Sequence, residues 1–134
     1  MASIFSRIIQ GDIPAHKVAE TEHFLAFLDV NPLVPGHTLA IPKKEIDYIF
    51  DLEDEHLAGL MAFSKRVAKA VQAVVPCKRI GVSVIGLEVP HAHVHLIPLQ
   101  QIGDMNFGKE KLAIPSEELA ALAVRISEAY QQLR

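Results

Sequence analysis

"VPHAHVHLIP", residues 89–98, sets three histidines on alternate positions, with Ala92 and Val94 between them and Leu96 just behind. Side chains of a strand project alternately to its two faces, so residues 91–99 read as a strand. His91, His93 and His95 then share one face, and Ala92, Val94 and Leu96 the other. The apolar face predicts packing and the histidine face predicts chemistry. At a rise of about 3.3 Å per residue, His91 and His95 would stand about 13 Å apart, too far to hold one metal ion between them.

Outward from this stretch, further strand-like runs occupy residues 17–20, 24–29, 37–42 and 80–85. They are punctuated by "NPLVPG" at 31–36 and by the turn-rich segment 86–90. Between them lies a helical pattern in which Leu57, Leu60, Met61, Ser64, Val67, Ala68, Val71 and Val75 recur with the spacing of one buried face. Asp51 is its candidate cap and Pro76 its stop. A second helix opens at Ser116, carries Glu117 and Glu118 where the helix dipole favours anions, and buries Leu119, Leu122, Ile126 and Leu133. Strands on both sides of one long helix, with a C-terminal helix as cover, predict an α+β fold built on a sheet. Residues 100–115 show weak periodicity and read as a long loop, a feature often tied to function.

The 134 residues fit one domain, with a core over about 3–99 and a C-terminal extension over 100–134. Thirteen Lys and Arg against sixteen Asp and Glu argue against charge-driven binding to nucleic acid or to an anionic membrane. A phosphorylated small molecule would need a local site instead. Cys77 is the only cysteine, which rules out an intrachain disulfide and a cysteine-based metal cage and fits a reducing cytoplasm. The apolar N-terminal stretch is broken by Arg7, so neither an export signal nor a membrane anchor is expected.

Three uses of the histidine face compete. His-x-His on a strand can present two imidazoles to zinc or iron, with His37 as the attractive extra ligand, although no histidine follows His95. Exposed polar residues on a half-buried strand are the second use. The third is covalent: neutral imidazole is a good nucleophile near pH 7 and forms a hydrolysable bond with phosphorus. That use needs one nitrogen of the central ring tied to a carbonyl or carboxylate, the other free to attack, and neighbouring imidazoles as donors.

The run His91-Ala92-His93-Val94-His95-Leu96-Ile97 resembles the signature of the histidine triad (HIT) family, three histidines alternating with apolar residues. "IFSRIIQGDIPAHKV" resembles the family's N-terminal stretch, and "AFLDVNPLVPGHTLAIPKK" its nucleoside-binding segment, so the likeness covers residues 3–99. The resemblance implies a HIT-like fold that dimerises across the sheet. It implies a purine-nucleotide hydrolase or nucleotidyl transferase without a cofactor, in the phosphoramidase-like branch. A non-catalytic nucleotide-binding dimer is the alternative.

Carried over by position, His93 resembles the nucleophile that attacks the α-phosphorus. His95 and His91 would hold the phosphate and assist the leaving group, and His37 is the family's fourth histidine. Asp29 resembles the carboxylate that accepts both ribose hydroxyls, while Phe5, Ile8, Phe27, Val30 and Val89 would line the nucleotide pocket.

Two departures stand out. Where the family commonly has Gly-Gln-Ser/Thr-Val before the triad, this chain has Gly86-Leu87-Glu88-Val89, which removes two hydrogen-bonding side chains. Strand parity turns Glu88 to solvent, with Pro90 interrupting the run. Ser3 and Ser6 occupy the positions where some members carry a zinc-binding Cys-x-x-Cys, so that metal site is missing.

Overall fold

The computed structural model describes residues 2–133. Five antiparallel strands, β1 (Lys17–Glu20), β2 (Phe24–Leu28), β3 (Thr38–Pro42), β4 (Arg79–Ser83) and β5 (Val94–Leu99), form one sheet in the order β1-β2-β3-β5-β4. Three helices accompany them: α1 (Ile4–Ile9), α2 (Asp54–Val74) and α3 (Ser116–Gln131). The fold is α+β, as the alternating runs predict.

Two rows of side chains explain the layers. Ala19, Ala26, Ala40 and Val94 stand in register across four strands, and this row of small residues lets α2 approach closely. Phe63, Leu60 and Val67 fill the space from the helix side, and Leu119, Ala123 and Ile126 of α3 complete the same core. One residue further along each strand, Phe27, Leu39 and His95 stand in register on the opposite face. There Phe5 and Ile8 of α1 close a smaller cluster with Leu25, Phe27, Leu39 and Ile41.

The long helix differs from the sequence reading in its start and its face. Asp51 ends a short 3-10 turn at Ile49–Asp51, and α2 starts at Asp54 with Glu53 in the capping position, so Asp51 does not cap it. Met61 is 40% exposed, because one residue past Leu60 rotates it by about 100° off the buried stripe, and Phe63 and Ala70 are buried instead. Ser64 does face inward and donates its hydroxyl hydrogen to the Leu60 carbonyl at 2.8 Å, so its burial leaves nothing unpaired.

The connector at 30–36 ends at Gly36, whose φ of +91° and tight approach to Val75 and Pro98 leave no room for a Cβ. α3 begins at Ser116 as expected, but Pro115 occupies the cap and Leu133 lies beyond the helix end, half-buried. Within 100–115, Ile102–Met105 forms a 3-10 turn whose Asp104 and Gln101 cap each other reciprocally.

Candidate active site

The histidine run is not one continuous strand. β5 starts at Val94, so of the three only His95 lies in the sheet, and residues 91–93 approach it along a separate path. That path is fixed by two bonds outside the ladder: the His91 amide donates to the Val89 carbonyl at 2.8 Å and the Ala92 amide to the Ile46 carbonyl at 2.7 Å. Pro90 supplies no amide for strand pairing, which accounts for the break.

All four sequence-selected histidines are buried, and three form a connected group. The rings of His93 and His95 lie 4.9 Å apart, centre to centre, and those of His95 and His37 5.1 Å. His91 lies behind them. It touches the site through Phe5, which packs edge-on against both His91, at 5.9 Å, and His93, at 5.0 Å.

Backbone groups of fixed polarity determine where the protons sit. The Leu33 amide can only donate, and it points at His37 Nδ1 at 3.1 Å. A neutral His37 therefore carries its proton on Nε2 and donates it to His95 Nδ1 at 2.9 Å. His95 in turn carries its proton on Nε2, where it is free to serve as a donor. On the other side, the His91 carbonyl can only accept, and it takes the Nδ1 proton of His93 at 2.7 Å, which leaves His93 Nε2 as a bare lone pair. The two neighbouring rings thus offer one bare ring nitrogen and one N–H hydrogen-bond donor.

Burial enforces the neutral forms. It brings His37 down to about 3, helped by the proximity of the His95 ring, and His95 down to about 4, helped by His93. Asp29 Oδ2 lies 3.8 Å from His37 Nε2, but this is not an ion pair, because the ring is neutral and its proton is given to His95. Asp29 is itself shifted up by burial, against the Asn31 amide that donates to its Oδ1 at 2.9 Å.

Asp29, His37 and His95 each place a donor atom within 4.8 Å of the others, a spacing that suits a small cation. The proton order does not suit it. A metal on His37 Nε2 would move the ring proton to Nδ1, facing the Leu33 N–H donor-to-donor at 3.1 Å.

Of the sequence-selected pocket residues, Phe5, Ile8 and Phe27 are buried in the α1-side cluster and Val89 packs against it. Val30 stands apart, 55% exposed. Both ring nitrogens of His91 are already used: Nε2–H donates to the Pro42 carbonyl at 2.7 Å and Nδ1 accepts from the Ser3 hydroxyl at 2.9 Å. Its ring therefore has no nitrogen left for a phosphate, and its carbonyl is the part that reaches the site. Glu88 is exposed, as expected, but not through strand parity: residues 87–91 are bends outside the strand, and Leu87 beside it is exposed too.

Three groups at the site were outside the sequence reading. Leu33 acts through its backbone, which no side-chain pattern reveals. Phe107, from the 100–115 segment, packs edge-on against His95 at 4.8 Å, with the segment held down by the Leu112 amide donating to the Pro32 carbonyl at 2.8 Å. Glu45 receives hydrogen bonds from the Ser3 amide and the Ser6 hydroxyl, both at 2.6 Å. The weak periodicity of 100–115 marked a long loop of the kind often tied to function, but did not single out Phe107.

A five-stranded antiparallel sheet thus carries a bare imidazole nitrogen and an imidazole N–H side by side. The chain belongs to the HIT family: the HIT domain matches residues 10–102, most of the chain. It is 40% identical over 118 residues to a HIT-like protein of Methanocaldococcus jannaschii, covering 81% of this chain and 88% of that one. It is 37% identical over 131 residues to an adenosine 5'-monophosphoramidase of Schizosaccharomyces pombe, covering 95% and 97%. Its fold matches a histidine triad nucleotide-binding protein of Sulfolobus tokodaii with a TM-score of 0.82 at 28% identity, over 96% and 92% of the two chains. Among the described residues no helix is long and apolar enough to cross a membrane.

Proposed function

We propose that the protein hydrolyses, or transfers the nucleotidyl group of, a purine nucleotide derivative substituted at the α-phosphate, with a phosphoramidate as the preferred substrate. The observation that carries this reading is the directed proton order, which leaves His93 Nε2 bare beside the Nε2–H of His95. The adenosine 5'-monophosphoramidase relative supports the substrate class.

In the first step His93 Nε2 attacks the α-phosphorus and a P–N bond to the enzyme forms. The bond to the leaving nitrogen breaks and its electron pair stays with that nitrogen, which enters the step protonated from solvent and departs as the neutral amine. The His95 Nε2–H meanwhile donates a hydrogen bond to a phosphoryl oxygen and keeps its proton. The nucleotidylated His93 ring carries positive charge, which the His91 carbonyl stabilises through Nδ1–H. Water then attacks the phosphorus, its proton passes to solvent, and the P–N bond breaks to release His93 with its lone pair. His37 keeps His95 in the donating tautomer throughout, and no metal is needed for either step.

Asp29, whose Oδ1 accepts from the Asn31 amide, would accept the ribose hydroxyls. Phe5, Ile8, Phe27 and Val89 would form the wall against the base, and Val30, exposed in the free protein, would be covered by ligand. A homodimer belongs to the same reading. β4 is an edge strand, and Val82, Val84 and Ile85 on and after it are exposed together with Tyr48 and Phe50, an apolar strip suited to a second copy.

A second reading, nucleotide binding without turnover, draws on the exposed Leu87 and Glu88, which give the phosphate neither the amide nor the hydroxyl of the common family pattern. Turnover of adenosine 5'-phosphoramidate and of diadenosine polyphosphate, measured with chelator present in wild type and His93→Ala, separates the two. Wild-type hydrolysis lost in His93→Ala supports the enzyme; micromolar binding of AMP with no hydrolysis supports the binder.

A further inference from the structure

We propose that Ser3, Ser6 and Glu45 form a hydrogen-bonded clasp that positions the His91 carbonyl, the group that orients the His93 ring. None of the three reaches the reacting atoms. They are positioning residues for the reaction proposed above, and the inference rests on that reading only for its kinetic consequence.

The clasp has one consistent proton layout. The Pro42 carbonyl fixes the His91 proton on Nε2, so Nδ1 must accept, and the Ser3 hydroxyl at 2.9 Å is its donor. The Ser6 oxygen lies farther away, at 3.4 Å, and its proton is spent on Glu45 Oε1 at 2.6 Å. The Ser6 amide closes the ring by donating to the Ser3 oxygen at 3.0 Å, which is also the N-cap bond of α1. Glu45 additionally holds the Ser3 amide at 2.6 Å. Ser3, Ser6 and His91 are buried, so the Ser3 hydroxyl and His91 Nδ1 depend on each other for a partner, while Glu45 closes the set from the exposed side.

This arrangement joins three parts of the chain, at residues 3–6, 45 and 91, around the backbone that His93 leans on. It also makes α1 part of the catalytic scaffold, since Phe5, one residue inside the clasp, packs on both the His91 and His93 rings. This corner is closed by two hydroxyls and a carboxylate. Without the Ser3 hydroxyl, a buried Nδ1 loses its donor and the His91 backbone is free to shift. A misplacement on the scale of 1 Å at a reacting group costs about ten- to a hundredfold in rate.

The test reads the His93 ring directly. In wild type, ring 15N shifts report His93 protonated at Nδ1 and bare at Nε2. In Ser3→Ala the Nδ1–H population falls, and kcat for adenosine 5'-phosphoramidate falls about ten- to a hundredfold with KM changed less than about threefold. Ser3→Thr, which keeps the hydroxyl, restores both. Glu45→Gln gives the same changes in smaller measure and serves where Ser3→Ala does not fold. Wild-type tautomer and kcat in both Ser3→Ala and Glu45→Gln would overturn the clasp. If wild type shows no turnover, the reaction reading fails but the tautomer shift still decides whether the clasp holds the ring.

Discussion

The two faces of the sheet are built from the same strands and do different work. On the α2 side, Ala19, Ala26, Ala40 and Val94 meet Leu60, Phe63 and Val67, and nearly every buried atom is carbon. On the α1 side, Phe27 and Leu39 share their row with His95, and the buried groups include His37, His91, His93, Ser3 and Ser6. Adjacent residues of β5 divide between the two: Val94 and Leu96 face the apolar core, while His95 between them faces the site. The difference is that one face needs only volume filled, whereas the other needs every proton directed. Substitutions on the first face should therefore alter stability and leave rate constants intact, and substitutions on the second should alter rate constants and the response to pH.

The sharpest contrast pairs His93→Ala with Phe63→Ala. The first removes the nucleophile, and turnover should fall at least about a thousandfold while the unfolding midpoint hardly moves. The second empties a fully buried site in the α2-side core and should cost about 3–5 kcal/mol of stability in urea unfolding, with kcat of the remaining folded protein unchanged. A Phe63→Ala protein that stays stable but loses kcat would break the division.

Acid should act through the site face. Burial holds His37 at about 3 and His95 at about 4, both below the ordinary 6.5, so the unfolded chain binds protons first as pH falls. The stability contributed by the neutral pair is complete above pH 6.5 and is lost as pH drops toward about 4 and then 3. Urea midpoints measured at pH 7.5 and pH 5 should fall less in His37→Asn than in wild type; an equal fall would contradict the assignment.

Phe107 makes a finer test, because it covers His95 from a segment outside the sheet. Replacing it with alanine admits water to the ring and should raise the His95 pKa from about 4 toward 6.5, visible by NMR titration, with a loss of about two- to tenfold in kcat. The smallest effect is expected at Glu88, whose exposure predicts that Glu88→Gln changes kcat/KM by less than about twofold.

Much of the apolar face was legible in the sequence, because burial repeated with the period of each element. Leu60, Ser64, Val67 and Val71 mark α2, and the continuous apolar run "FLAFL" marks β2, a strand covered on both faces. The exceptions are local: Asp51 looked like a cap but belongs to the preceding 3-10 turn, and Met61 falls just off the stripe. On the site face the residue types were readable while their arrangement was not. Alternation placed three histidines on one surface, yet Pro90 and the bonds at 91 and 92 keep His91 and His93 out of the strand, and only His95 obeys the period. α1 is six residues long, too short to show periodicity, and its one local sign is the Ser3 cap. The partners that direct the protons lie far away in sequence: Glu45 is 42 residues from Ser3, and His37 is 58 from His95. Long-range pairing of that kind leaves no pattern along the chain.

The central claim is that His93 Nε2 is the atom that bonds to phosphorus. Mixing the protein with adenosine 5'-phosphoramidate, quenching within milliseconds at alkaline pH and measuring intact mass followed by peptide mapping tests it directly. The account predicts one adenylyl group per chain, on His93, lost on brief acid treatment and absent from His93→Ala. Turnover that continues in His93→Ala, or an adenylyl group found on any other residue, would contradict it.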